Sequence, residues 1–338
     1  MKHSVAASSD EEFVRWCYRT VLGREADAEG LQRFVDALRS GTGRVDVLEA
    51  LLESDEHRSR LSVAWRFVPP GHYYSPIPSE LEIDEFARRH SLPESIEGID
   101  LNDAGQRALL DNLAAFYPSV PFTDEPQPGF RYRYINPSYS YADAIFLHSM
   151  LRHIRPKRLI EIGSGYTSAV TLDTNEHFLG GNLECCFIEP YPALLTSLMT
   201  AGDQERARVI ASPLQDVDLT LFDVLESGDI LFIDSSHVSK VNSDVNRIVF
   251  EILPRLARGV FIHFHDVFYP FEYPVDWLRE GRAWNEQYLL RAFLQFNPGF
   301  TIRLWGHYVA HRYADWFSQH MPLCLKNSGG ALWLERTG

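Results

Sequence analysis

From about residue 141 onward the chain alternates short apolar runs with segments of helical periodicity, and no other feature limits the fold as much. The apolar runs predict strands over Arg158–Ile162, Leu183–Ile188, Arg208–Ala211, Asp229–Ile233, Gly259–Phe264, Thr301–Trp305 and Ala331–Leu334. The helices between them centre on residues 141–153, 167–178, 191–201, 243–257 and 285–296. Strands that alternate with helices form a mainly parallel sheet covered on both faces. Ligands of such sheets bind beyond the carboxyl ends of the strands, near the point where strand order reverses.

Upstream, residues 10–61 read as a compact helical unit. Phe13, Trp16, Cys17, Val21 and Leu22 recur at helical spacing, and Gly23 ends that helix. Asp27 caps a second helix that runs to Ser40-Gly41, and a third spans Asp46 to Ser54. Residues 66–80, RFVPPGHYYSPIPSE, read as a linker, with helical patterns at 80–90 and 102–116 behind it. The expected division is therefore 1–65 helical, 66–140 linker and helical cap, and 141–338 sheet domain. Tyr132, Tyr134, Tyr139 and Tyr141 lie in an irregular aromatic stretch, either covering a ligand or resting on the core.

A formal net charge of −14 on 338 residues argues against a nucleic-acid binder and against docking on anionic membranes. No apolar run approaches the ~20 residues of a spanning helix. The start, MKHSVAASSDEEF, has no apolar signal region. Cys17, Cys185, Cys186 and Cys324 have neither zinc spacing nor a disulfide framework, so a cytoplasmic setting is expected.

The first strand of the sheet domain runs directly into EIGSGYTS, from Glu161 to Ser168. Glycines there let the backbone turn tightly or admit a ligand closely, and amides at the following helix start suit anionic or polar groups. Glu189 closes the second strand, where a carboxylate can accept both hydroxyls of a ribose. The dinucleotide fingerprint needs a third glycine, but Ser168 stands in its place. No G-K-[ST] follows, which excludes a phosphate-binding P-loop.

Acidic-x-G-x-G followed by an acidic second-strand end resembles the class I S-adenosylmethionine-dependent methyltransferases. Glu161-Ile162-Gly163-Ser164-Gly165 and Glu189 match that order, and TIRLW and ALWLE match the family's closing strand pair. The resemblance implies a Rossmann-like, doubly wound α/β fold with seven strands, the last antiparallel, preceded here by a small all-α domain. It implies that Gly163, Ser164 and Gly165 hold the methionine part of S-adenosylmethionine and Glu189 the ribose. Asp216 matches the place where the adenine amino group is often bound. Thr167 and Ser168 either bond the cofactor carboxylate or cap the helix. The stretch FVRWCYRTVLGREADAEGLQRFVDALRSGTGRVDVLEALLESDEH resembles a helical accessory domain of unknown function attached to bacterial surface-layer and glycan-related proteins. No catalytic residue carries over from it; a protein contact is its expected role.

Two further strand ends carry polar groups. ILFIDSSH supplies Asp234 and His237, and VFIHFHD supplies His265 and Asp266. Four titratable groups at one sheet edge are costly to bury without partners, so a site is expected there. Methyl transfer to an alcohol needs the acceptor positioned, and its proton removed by a base or its oxygen acidified by a metal. His265 or His237 suits the first route. The pattern resembles bacterial sugar and small-molecule O-methyltransferases, the macrocin-type and rhamnosyl enzymes among them, and this implies metal ligation by Asp234, His265 and Asp266. His265 stands where that family usually has an acidic residue. His263 shares the strand face of His265 and reads as a core histidine. Tyr269, Glu272, Tyr273, Trp277, Trp284 and Asn285 downstream suit a sugar-like acceptor or a protein contact.

The expected function is O-methylation of a hydroxylated small molecule or glycan. N-methylation of an amino sugar, a non-catalytic S-adenosylmethionine-binding scaffold and, on the incomplete fingerprint, a dehydrogenase are the alternatives.

Overall fold

The computed structural model describes residues 9–57, 67–68 and 70–338, and the chain divides into two compact units, Met1–Glu82 and Ile83–Gly338. In the first unit Ser9 and Glu12 form a capping box ahead of the helix Asp10–Cys17, which runs on as a π-turn over Tyr18–Leu22. Gly23 ends it at φ +55°. Asp27 then accepts a bond from the Gly30 amide (2.8 Å) and starts the helix Ala28–Arg39, and Arg44–Leu52 follows. Phe13, Val14, Cys17, Tyr18, Leu22, Val35, Val47 and Leu51 form its core. Residues 58–61 of the expected helical unit, and residues 66 and 69 of the expected linker, lie outside the described residues.

The second unit is built on seven strands: β1 (Arg158–Ile162), β2 (Glu184–Ile188), β3 (Arg208–Ile210), β4 (Ile230–Ile233), β5 (Phe261–Phe264), β6 (Phe300–Trp305) and β7 (Leu332–Arg336). Their order is β3-β2-β1-β4-β5-β7-β6. The first five run parallel, and β7 lies antiparallel between β5 and β6. β1 and β4 are buried almost throughout, as strands covered on both faces must be. Strand order reverses between β1 and β4.

Register then positions the site. Ile162 pairs with Ile188 and with Ile233, and Ile233 pairs with Phe264. The ladder continues one step, with the amides of Gly163, Asp234 and His265 bonded to Ile188, Ile162 and Ile233. Gly163, Glu189, Asp234 and His265 are thus level at one edge. Because β7 is antiparallel, the residues just before it return to that edge, where Val267 bonds the Gly330 carbonyl.

Some expected elements differ. The helix expected over 191–201 is two, Ala193–Leu198 and Ala201–Arg206, because the Thr200 side chain caps a new start. The helix over 243–257 is one α turn, a π-turn over Ile248–Ile252 and a 3₁₀ turn containing Pro254. Val275–Arg279, Gly306–Arg312 and Ala314–His320 are short helices without a sequence signal. Tyr132, Tyr134 and Tyr139 are buried in the core, where Tyr139 lies 5.1 Å from the His265 ring, and Tyr141 stacks on Tyr134. Arg131 braces the same region. Its guanidinium binds Asp173 (2.8 Å), Asp203 (2.7 Å) and Glu176 (2.7 Å), with its own side chain 5% exposed.

Candidate active site

Gly163 sits at φ +78°, and a Cβ there would lie 1.8 Å from the Asp234 carbonyl oxygen. Only glycine fits that turn. Gly165 is extended (φ −178°), which any residue adopts, so only one of the two glycines is obligatory.

Glu161 lies beneath the loop, fully buried. Thr167 and Ser168 both donate their hydroxyls to its Oε1, Ser168 at 2.7 Å. Those hydroxyls are therefore engaged internally rather than open to a cofactor carboxylate. Burial pushes the Glu161 carboxyl up to about 8, against the pull of the two hydroxyls. Glu161 Oε2 and Ser164 Oγ have no protein partner.

Glu189 accepts the amides of Ser164 (3.1 Å) and Tyr191 (2.8 Å) and borders a cleft of about 530 Å³. Gly163, Tyr191, Gln215, Asp234, Ser235 and Lys240 also line it. Asp216 does not. The 3₁₀ turn Leu214–Asp216 buries Leu214 and leaves Asp216 exposed, so Gln215 faces the cleft instead.

Asp234, His237, His265 and Asp266 do converge. His237 Nε2 lies 3.5 Å from Asp234 Oδ1 and 3.5 Å from Asp266 Oδ2. His265 Nδ1 lies 3.4 Å from Asp234 Oδ1 and 3.6 Å from Asp266 Oδ2, without hydrogen-bond alignment. Donor atoms of Asp234, His237 and Asp266 all lie within 4.8 Å of one another. The mutually close trio thus contains His237, with His265 beside it. His237 and Asp266 hold φ +58° and +57°, a strained conformation for non-glycine residues that collects at functional sites.

Two residues without a sequence signal orient the rings. Glu286 Oε2 accepts from His237 Nδ1 (2.9 Å), and its Oε1 accepts from Ser235 Oγ (2.8 Å). Asp143 Oδ2 faces His265 Nε2 at 3.5 Å, while its Oδ1 accepts the amides of Gly330 and Ala331 (3.1 Å each). In sequence both acids read as ordinary first-turn helix residues.

Burial opposes charge on His237, but Asp234 and Glu286 outweigh it and raise the imidazole to about 10. Burial likewise opposes charge on His265, and Asp266, Asp234 and Asp143 raise it well above the usual range. Burial raises Asp266, whereas the two imidazoles hold Asp234 well below the carboxylate range against its own burial. A cluster that gathers protons onto both imidazoles between two carboxylates has the charge balance of a cation site. Mixed nitrogen and oxygen donors suit Mn²⁺, Fe²⁺, Co²⁺ or Zn²⁺ better than Mg²⁺.

His263 is buried, stacks on Phe232 (3.9 Å) and is held neutral by burial. Of the downstream aromatics, Trp284 lies against the His237 ring (4.3 Å) and Trp277 meets Trp284 edge-on (5.2 Å). Tyr269 and Tyr273 are buried, and Asn285 bonds the backbone of Ser239. Glu272 accepts from Tyr288 (3.2 Å).

Residues 160–267 match the profile of a family described as a methyltransferase domain, and the seven-stranded sheet has the antiparallel last strand that the resemblance implies. This stretch of the chain is a methyltransferase domain of the S-adenosylmethionine-dependent kind. Residues 2–61 of the methyltransferase match a domain of unknown function, DUF4214. An uncharacterised protein of Archaeoglobus fulgidus is 33% identical over 170 residues, which cover 48% of this chain and 76% of that protein. Among solved structures, the methyltransferase is similar to PaMTH1 of Podospora anserina, a methyltransferase bound to S-adenosylhomocysteine. Identity is 14%, coverage 78% of this chain and 99% of that chain, and the TM-score 0.38. The O-methyltransferase TomG of Streptomyces achromogenes, in complex with S-adenosylmethionine, is 15% identical over 76% of this chain and 96% of that chain, with a TM-score of 0.38. Among the described residues, no helix is long and apolar enough to cross a membrane.

Proposed function

We propose that this methyltransferase methylates a hydroxyl oxygen of a small molecule or glycan with the aid of a divalent cation. The convergence of Asp234, His237 and Asp266 beside a cleft that Asp234 itself borders is the observation that carries the reading. The S-adenosylmethionine site fits the residues present. A cradle at Gly163 that a Cβ would fill, and Glu189 on the cleft wall, are suited to the methionine part and the ribose respectively. When bound, the cofactor would supply an electrophilic methyl group on a sulfonium, and the cation would lower the pKa of the acceptor hydroxyl.

This chain's own residues do the rest. Asp234, His237 and Asp266 would hold the cation. His265 receives the acceptor proton at Nδ1, the ring nitrogen without a partner, while Asp143 faces Nε2 and orients the ring. A cation held by Asp234 and Asp266 would offset the same carboxylate charge that raises His265. Trp284, against the His237 ring, forms a wall for the acceptor. The glycan preference rests on the N-terminal helical unit by analogy. That unit serves as a protein contact, in the division 1–65, 66–140 and 141–338. Free thiols at all four cysteines favour a cytoplasmic setting.

The test is transfer of labelled methyl from S-adenosylmethionine to panels of sugars and phenols, with Mn²⁺ and with chelator. An ether-linked product lost on chelation is expected. An amine-linked product would favour the amino-sugar alternative, and cofactor binding without any transfer the scaffold.

A further inference from the structure

Resting on the cation reading, we infer that Glu286 is a positioning residue that sets which nitrogen of His237 meets the cation. Glu286 is 1% exposed and opens the helix Glu286–Leu294. A carboxylate buried this deeply needs partners, and it has two. Its Oε2 accepts from His237 Nδ1 at 2.9 Å, and its Oε1 from Ser235 Oγ at 2.8 Å. The same helix start also holds the backbone, since the amides of Asn285 (3.0 Å) and Glu286 (3.1 Å) both donate to the His237 carbonyl. Asn285 bonds Ser239 on both its amide and its carbonyl, at 2.6 and 3.2 Å. Ring and main chain of His237 are therefore fixed from one place, 49 residues downstream.

The chemical consequence follows from the donor rules. An ionised carboxylate only accepts, so Nδ1 must carry the proton. The lone pair of the neutral ring is then on Nε2, which faces Asp234 and Asp266 at 3.5 Å each. Without Glu286 the ring is free to take the other tautomer or turn towards Ser235, and the cation loses one ligand. Outer carboxylates of this kind raise ligand basicity and fix ring orientation.

Co²⁺ titration of the full chain, followed by visible absorption, tests this. Glu286→Ala should weaken Co²⁺ by about 10–100-fold, and Glu286→Gln, which keeps the shape and one acceptor, by less. In Co²⁺-loaded wild type in H₂O, a hyperfine-shifted exchangeable proton resonance should report His237 Nδ1–H. His237→Ala should abolish that resonance, and Glu286→Ala should abolish or broaden it. In a His237→Ala background, Glu286→Ala should cost nothing further. Co²⁺ affinity within about threefold of wild type in both Glu286 variants would overturn the inference, as would an equal cost in the His237→Ala background. Absence of Co²⁺ binding by wild type would instead bring down the cation reading itself, so the two failures are told apart by the wild-type titration. Circular dichroism of Glu286→Gln checks that the fold is kept.

Discussion

The Asp234 carbonyl oxygen occupies the space that a side chain on residue 163 would need, 1.8 Å from an ideal Cβ. Asp234, the first member of the proposed cation cluster, and Gly163, the first glycine of the loop, are thereby locked together. Gly163→Ala must push β1 from β4, or tilt the Asp234 peptide. Loss of S-adenosylmethionine affinity by about tenfold or more, with a lower melting temperature, is expected by calorimetry. Gly165→Ala, at an extended backbone position, should do much less. Equal effects would refute the steric account.

Glu189 is held by two backbone amides on the cleft wall. Charge-assisted bonds to a ribose are worth roughly 1.5–3 kcal/mol each. Glu189→Ala should therefore weaken S-adenosylmethionine by about tenfold or more in titration calorimetry. NAD should not bind wild type at all; measurable NAD affinity would revive the dehydrogenase alternative.

His265→Ala should leave S-adenosylmethionine affinity intact and cut turnover by about 10²–10⁴-fold, the usual worth of a general base. Full turnover in this variant would end the assignment of His265 as base.

Proton competition gives a pH test of the cluster. His237 is raised to about 10 without the cation, so below that pH a metal must displace a proton. Affinity for Mn²⁺ should rise with pH, by up to about tenfold per unit for each proton released. A flat affinity between pH 6 and 8 would mean that His237 is not a ligand.

His148 makes the opposite prediction for stability. Burial, aided by Arg152, lowers it from 6.5 to about 3, and its ring bonds Thr174 at 2.9 Å. A group depressed on folding contributes stability that is present above the unfolded value and lost as pH falls through the folded one. Unfolding free energy should fall as pH drops from 6.5 towards 3, and His148→Gln should flatten that slope. An unchanged slope would show that other groups govern acid unfolding.

Arg131 neutralises Asp173, whose side chain is 0% exposed. Arg131→Met leaves that carboxylate buried and unpaired, which costs about 3–5 kcal/mol. Urea unfolding measures it, and Arg131→Met combined with Asp173→Asn should recover part of the loss.

Much of the fold is legible in the chain because its strands are buried on both faces. Continuous apolar runs such as ILFI at β4 stand out, and β1 falls where it is expected, at Arg158–Ile162. Short helices such as Val275–Arg279 escape notice, since five residues carry too little periodicity. Asp216 shows the limit of a motif. Its place in the order matches, but a 3₁₀ turn settles which neighbouring side chain faces the cleft, and it is Gln215.

The sequence by itself determined the alternating architecture, the glycine turn, and the types of residue that end each strand, because these depend on local periodicity and backbone freedom. Only the tertiary structure decided how those residues are used. Thr167 and Ser168 serve Glu161, His237 joins Asp234 and Asp266, and Asp143 and Glu286 turn the two rings. Those pairings cross as many as 122 positions of the chain, as from Asp143 to His265. Charge and hydrogen bonding across such spans depend on which strands lie side by side, and no local pattern records that.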